Sequence, residues 1–178
     1  MGLFRRRRID SKVLKRRIAE VIIDLKQLHK RAYVWRARLE ERIKDYEVKL
    51  RYETIQEKRI AIANSIVMYK KALKLITNVE VALELLLLRV ETLNLLRLTG
   101  SELVMIKTVL RDIKGLTEGF PDISVITEDL VERVNDLIQY LPTIESADYV
   151  ITAESEAKKI LEEARVIAQE RLKESIPS

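Results

Sequence analysis

Apolar residues recur along the first part of the chain in alternating steps of four and three: Leu14, Ile18, Val21, Leu25, Leu28, Ala32, Trp35 and Leu39. Such a row is the seam of a helix that packs lengthwise on another helix. After a four-four step, as in a stutter, it continues through Ile43, Tyr46 and Leu50. Asp10 and Ser11 stand where a helix N-cap is wanted. About 40 residues of helix span roughly 60 Å, so a partner of similar length is needed. The row lapses between Tyr52 and Glu57, where β-branched Thr54 and Ile55 interrupt strong helix formers. A hairpin turn is predicted there, although no Gly or Pro marks it.

The row resumes at Ile62, Ile66, Tyr69, Leu73, Ile76, Val79, Leu83, Leu86, Val90 and Leu93. Between Val79 and Leu98 a second row joins it, at Val81, Ala82, Leu85, Leu88 and Leu95. A helix apolar on more than one side must bury more than one face, against its own chain or another subunit. As a polymer contact the surplus would be used by Val79, Leu83, Leu86, Leu87, Val90 and Leu93; in a closed monomer the third and fourth helices would cover it instead. Thr99-Gly100-Ser101 is a breaker followed by a cap, and a third helix is expected over 101–117. Gly115, Gly119 and Pro121 form the strongest break. A fourth apolar face follows at Ile123, Ile126, Leu130, Val134, Leu137 and Leu141, ended by Pro142. Residues 143–152 read as an exposed linker. A terminal helix over 153–174 carries Ala157, Ile160, Leu161, Ala164, Ile167, Ala168 and Leu172 on one stripe. The predicted fold is all-α and elongated: a long antiparallel hairpin over 11–98, then three shorter helices.

Composition narrows the function. The 178 residues include no Cys, one His and only four Gly, so disulfide scaffolds, thiol catalysis and multi-histidine metal sites are excluded. Tight catalytic loops lack their usual residues, and neither an enzyme nor a cofactor is expected. His29 has no second ligand nearby and reads as a solvated or seam-edge residue. The net charge of +5 conceals a gradient. Met1–Arg51 holds 17 basic and 7 acidic residues, whereas Glu118–Ser178 holds 6 and 14. A polyanionic partner for the front, and self-docking of the two ends, both follow from that asymmetry. The most apolar window, Val79–Leu98, contains Glu80, Glu84, Arg89, Glu91 and Arg97, too many charges for a bilayer core.

The head, residues 1–10, is the sharpest local feature. Leu3 and Phe4 precede Arg5, Arg6, Arg7 and Arg8. Lys12, Lys15, Arg16 and Arg17 extend the basic surface onto the first helix. Near an anionic leaflet each basic residue contributes roughly 1 kcal/mol, while two apolar side chains insert at the interface. An arginine run also binds nucleic acid, which is the alternative reading. The aromatic residues lie on or beside the seam and make no stacking platform, so nucleic acid is not the expected partner.

The order of these parts resembles the ESCRT-III family, in particular its archaeal cell-division branch, the CdvB proteins. The resemblance rests on Met1-Gly2-Leu3-Phe4 with its basic run, the basic first helix and its antiparallel partner, the aliphatic stretch from Arg59 to Thr99-Gly100-Ser101, and Glu156–Ala164 followed by Glu170–Glu174. It implies a core over 11–120 and an acidic regulatory region over 121–178, in a short form without a winged-helix segment. It also implies a filament-forming subunit that remodels or severs membrane, polymerising with itself and with paralogues on the cytoplasmic face of the cell membrane at the division site. Ile160, Leu161, Ala164, Ile167 and Leu172 would dock the terminal helix on its own hairpin or a neighbour's. Around Arg171-Leu172 the positions of an ATPase-recruiting motif hold Ala168 and Arg165, so an AAA-type ATPase is expected to act through a paralogue.

Overall fold

The computed structural model describes residues 11–92, 100–140 and 147–175, all but a few of them in five helices. These are α1 (Ser11–Tyr52), α2 (Gln56–Thr92), α3 (Gly100–Leu116), α4 (Pro121–Tyr140) and α5 (Ala147–Ser175). The head, residues 93–99 and the expected stop at Pro142 lie outside the described residues.

α1 and α2 pair antiparallel along a nearly constant register, marked by Lys26–Glu91 (2.9 Å), Arg36–Glu80 and Glu47–Lys70 (3.5 Å). The predicted seam is the contact line: Ile18, Val21, Leu25, Leu28, Ala32, Leu39 and Ile43 are buried from α1, and Ile66, Leu73, Ile76 and Val79 from α2. The turn needs no glycine because side chains close it. Arg59 Nη1 donates to the carbonyls of Leu50 and Glu53, each at 2.8 Å, and Ile55 N–H donates to Glu53 Oε1 at 3.0 Å. The guanidinium thereby takes up carbonyls that the helix end leaves open.

α3 and α4 form a second, shorter antiparallel pair. Pro121 opens α4, where its fixed φ and missing N–H suit the first helical turn. Phe120 N–H donating to Thr117 O at 2.8 Å tightens the connection. α4 lies against α1, while α3 and α5 both lie against α2 and against each other. The cover on the surplus apolar face of α2 is therefore α3 with α5, not the third and fourth helices. The terminal helix also begins earlier than expected, at Ala147 rather than near 153. Val150, Ile151 and Thr152 are poor helix formers, but Ala153 and Ala157 are buried one turn apart. That packing overrides local propensity.

Candidate membrane and assembly surfaces

Glu80 is only 3% exposed, the sole buried carboxylate among the described residues. It faces Arg36 across the hairpin in a very short contact, and Arg36 also donates to Glu40 at 3.0 Å. Burial alone would lower the Arg36 pKa, but the bonds to Glu80 and Glu40 outweigh it and hold the guanidinium above its ordinary value. The paired bonds offset the cost of burying these charges, and removing either partner would leave the other charge uncompensated. The polar layer is structural: its groups face each other rather than a cleft. His29 lies half-buried beside the seam, with its Nε2 enclosed and without a hydrogen-bond partner. No group of three or more metal-ligating side chains occurs among the described residues, nor is any described helix long and apolar enough to cross a membrane.

Of the residues expected to meet a membrane, Leu3, Phe4 and Arg5–Arg8 lie outside the described residues. Lys12, Lys15, Arg16 and Arg17 are exposed on the first turns of α1. Arg16 pairs with Glu20 at 3.3 Å, and Arg17 stacks over the Tyr140 ring of α4 at 5.8 Å. The basic surface extends further than the sequence reading placed it. Ile23 (54% exposed), Lys30 and Val34 continue the same outward face, opposite the seam, while Lys26 turns to Glu91 of α2. They were legible as the positions halfway between seam residues, where Lys alternates with aliphatic side chains.

The residues expected to make the polymer contact are turned inwards in this conformation. Val79, Leu83, Leu86, Leu87 and Val90 are all buried inside this chain, and Leu93 lies outside the described residues. In this conformation they face α1, α3 or α5 and offer nothing to a neighbour. Leu88, assigned to the same surplus, is instead 54% exposed. The face of α2 that α3 and α5 cover runs on uncovered towards the turn, through Leu75, Met68, Val67 and Ile60, at one- and seven-residue spacing from one another. Met68 is 70% exposed. These four lie off the seam row, and the sequence reading passed over them for that reason.

α5 sits on its own chain. Ile160 and Ala164 are buried, and Leu161, Ile167 and Leu172 are half-buried on the face it turns to α2 and α3. The alanines at 153, 157, 164 and 168 let the backbones approach closely. At its edges Arg89 grips both Glu156 oxygens at 2.9 and 3.0 Å, and Arg171 grips Glu84 at 3.0 and 3.3 Å.

With this architecture in view, the chain is similar to two cell-division proteins of Sulfolobus acidocaldarius. It is 27% identical over 175 residues to Cell division protein B1, covering 93% of this chain and 79% of that one. It is 25% identical over 169 residues to Cell division protein B, covering 92% of this chain and 65% of that one. Both matches support the resemblance to the CdvB-type ESCRT-III paralogues. No family model matches it, and no solved structure does. The chain spans just under two thirds of Cell division protein B, and its helical hairpin with three shorter helices is consistent with an ESCRT-III-like fold.

Proposed function

We propose that the chain is a division subunit that polymerises on anionic membrane and deforms it, with no chemistry of its own. The observation that carries this reading is the outward face of α1, where Lys12, Lys15, Arg16 and Lys30 alternate with exposed Ile23 and Val34. A face of about 33 Å that mixes cations with aliphatic side chains suits a headgroup layer better than a protein groove. The Leu3-Phe4 head adds an inserting element, and neither signal is strong alone. Lateral assembly uses the uncovered α2 stripe of Ile60, Val67, Met68 and Leu75, between copies or with paralogues. An AAA-type ATPase acts through such a paralogue, and the division site on the inner membrane face is the place of action.

Sedimentation with phosphatidylglycerol vesicles tests this, comparing the full chain with Leu3→Ser/Phe4→Ser and with Lys12→Glu/Lys30→Glu. Pelleting that is weakened in both variants, with filaments or deformed vesicles for the parent, supports the reading. A parent chain that stays in the supernatant and instead retards DNA at low salt replaces it with the nucleic-acid alternative.

A further inference from the structure

Where the flank of α1 meets the start of α4, the surface opens into a cleft of about 460 Å³. That is the size of a small-ligand site. Its α1 lining runs from Gln27 to Arg38 at helical spacing, a single face about 16 Å long. Lys30, Arg31 and Arg38 bring three cations to it, and Asp122 of α4 is the one carboxylate in its lining. Arg31 approaches that carboxylate at 3.9 Å. Lys30 and Arg38 have no ion-pair or hydrogen-bond partner among the described residues, so two cations face the cleft without a counter-ion. Trp35 is the rigid wall. Its Nε1–H donates to Asp122 Oδ2 at 3.0 Å, and its ring meets Phe120 edge-on at 5.3 Å. Both contacts to Asp122 fall on Oδ2, which leaves Oδ1 to accept from a ligand.

This mixture of signs selects a ligand that is more than a bare anion. Phosphate oxygens suit the cations, because Arg and Lys side chains donate and cannot accept. A carboxylate only accepts, so Asp122 repels a bare phosphate and takes a hydroxyl. The indole adds a flat apolar wall against which C–H groups pack. We propose that the cleft is a binding site for a phosphorylated polyol. The phosphate lies on Lys30, Arg31 and Arg38, and the hydroxyls lie on Asp122 Oδ1 and Gln27. Lys30 and Val34 also belong to the outward face of α1, so the cleft opens beside the surface assigned to the leaflet. The polyol phosphate is then a lipid headgroup, and that choice of source rests on the membrane reading above. Charge alone draws the chain to any anionic leaflet, whereas the cleft distinguishes leaflets of equal charge.

Trp35 is the only tryptophan of the chain, so its fluorescence reports the cleft directly. Vesicles of phosphatidylinositol and of phosphatidylmethanol carry the same charge and differ in hydroxyl groups. The full chain is expected to bind the first about tenfold more tightly. Glycerophosphoinositol in solution shifts Trp35 emission saturably, and inorganic phosphate at equal concentration does not. Arg38→Gln, at an exposed side chain without a partner, removes the preference. Lys15→Gln makes the same charge change outside the cleft and weakens binding to both lipids alike. Asp122→Asn separates selectivity from charge: it removes a negative charge, yet weakens binding to phosphatidylinositol while strengthening binding to phosphatidylmethanol. Unchanged circular dichroism shows the variants folded. If both lipids bind equally and Asp122→Asn tightens both, the cleft is merely part of a charged face; the proposal is wrong and the membrane reading stands. If no vesicle binds but glycerophosphoinositol shifts Trp35 in an Arg38-dependent way, the site stands with a free ligand and the membrane reading falls. If inorganic phosphate acts as strongly as glycerophosphoinositol, the polyol assignment is wrong. No response to any probe overturns both readings.

Discussion

The two halves of the long hairpin are built from the same kind of seam yet are held in different ways. From Leu73 to Val90, α2 buries eleven residues on several sides, under α1, α3 and α5. From Gln56 to Ala72 it buries Ile66 alone. The arm towards the turn is a two-helix strut whose ion pair and ring contacts, Glu47–Lys70 and Tyr46–Tyr69, join α1 to α2. Where aliphatic cover is missing, aromatic and cationic side chains supply the cohesion: Tyr46 and Tyr69 meet edge-on at 5.3 Å, with Arg42 and Lys49 over their faces. A hairpin can thus present a long exposed surface at one end only because the other end is anchored in a bundle.

Deleting a large side chain from each half breaks the comparison most directly. Leu86→Ala, at a site with no exposure, is expected to cost about 3–5 kcal/mol in denaturant unfolding. Ile66→Ala in the arm is expected to cost about 2 kcal/mol, because the thin strut can collapse around the gap. Its hydrogen exchange should accelerate within the arm and leave the bundle protected. Equal losses with global exchange in both variants would show that the arm and bundle unfold as one unit. Glu80→Ala comes next. It strands Arg36, but Glu40 remains at 3.0 Å, so the expected loss is about 2–3 kcal/mol. Glu80→Gln should restore part of it.

The seam of each half was legible because its period of alternating fours and threes is a property of sequence alone. So was the turn, since the row lapses there, and the α3–α4 break, since Gly119 and Pro121 punctuate it. What covers the seam was not legible. The apolar surplus of α2 announces that more than one face is buried, but periodicity carries no information on which helix does the burying. The charge gradient foretold that basic and acidic ends meet, yet it could not choose between α4 and α5. Register decides that, and register is long-range. Trp35 was read as a seam residue; it is half-buried at the edge, spending its N–H on Asp122. The start of α5 was missed because local propensity was poor and two small alanines gave no hint of how deeply they pack.

Smaller effects sharpen the contrast at the ends of each half. Arg59→Ala removes two bonds to open carbonyls at the turn and should cost about 1–2 kcal/mol. Exchange should rise locally at residues 50–59. Arg171→Ala, on the edge of α5, loses a pair that is 40% and 39% exposed, and less than about 1 kcal/mol is expected. If that single change frees α5 from α2, the alanine packing is weaker than its burial implies.

The smallest effect lies in the phenols of Tyr46 and Tyr69 in the arm and is read ring by ring. Tyr69 is drawn below the ordinary phenol value of 10.0, first by its hydrogen bond with Tyr46 and then by Arg42. Tyr46 is pushed above the same value, first by its bond with Tyr69. One proton of the pair is therefore released early and the other late, as in any coupled site. The consequences for stability oppose each other. Ionised Tyr69 is a gain, present above pH 10 and lost as the pH falls through its lowered value. Tyr46 is a loss that begins as unfolded phenols ionise near 10.0. Arm stability should accordingly change little through that range, while site-resolved NMR titration of the two rings shows an early step for Tyr69 and a late one for Tyr46. Arg42→Gln should move the early step back towards the ordinary value and leave the bundle untouched. An unchanged early step would mean that the cation holds the ring by stacking alone, and that the arm's cohesion owes nothing to the phenol proton.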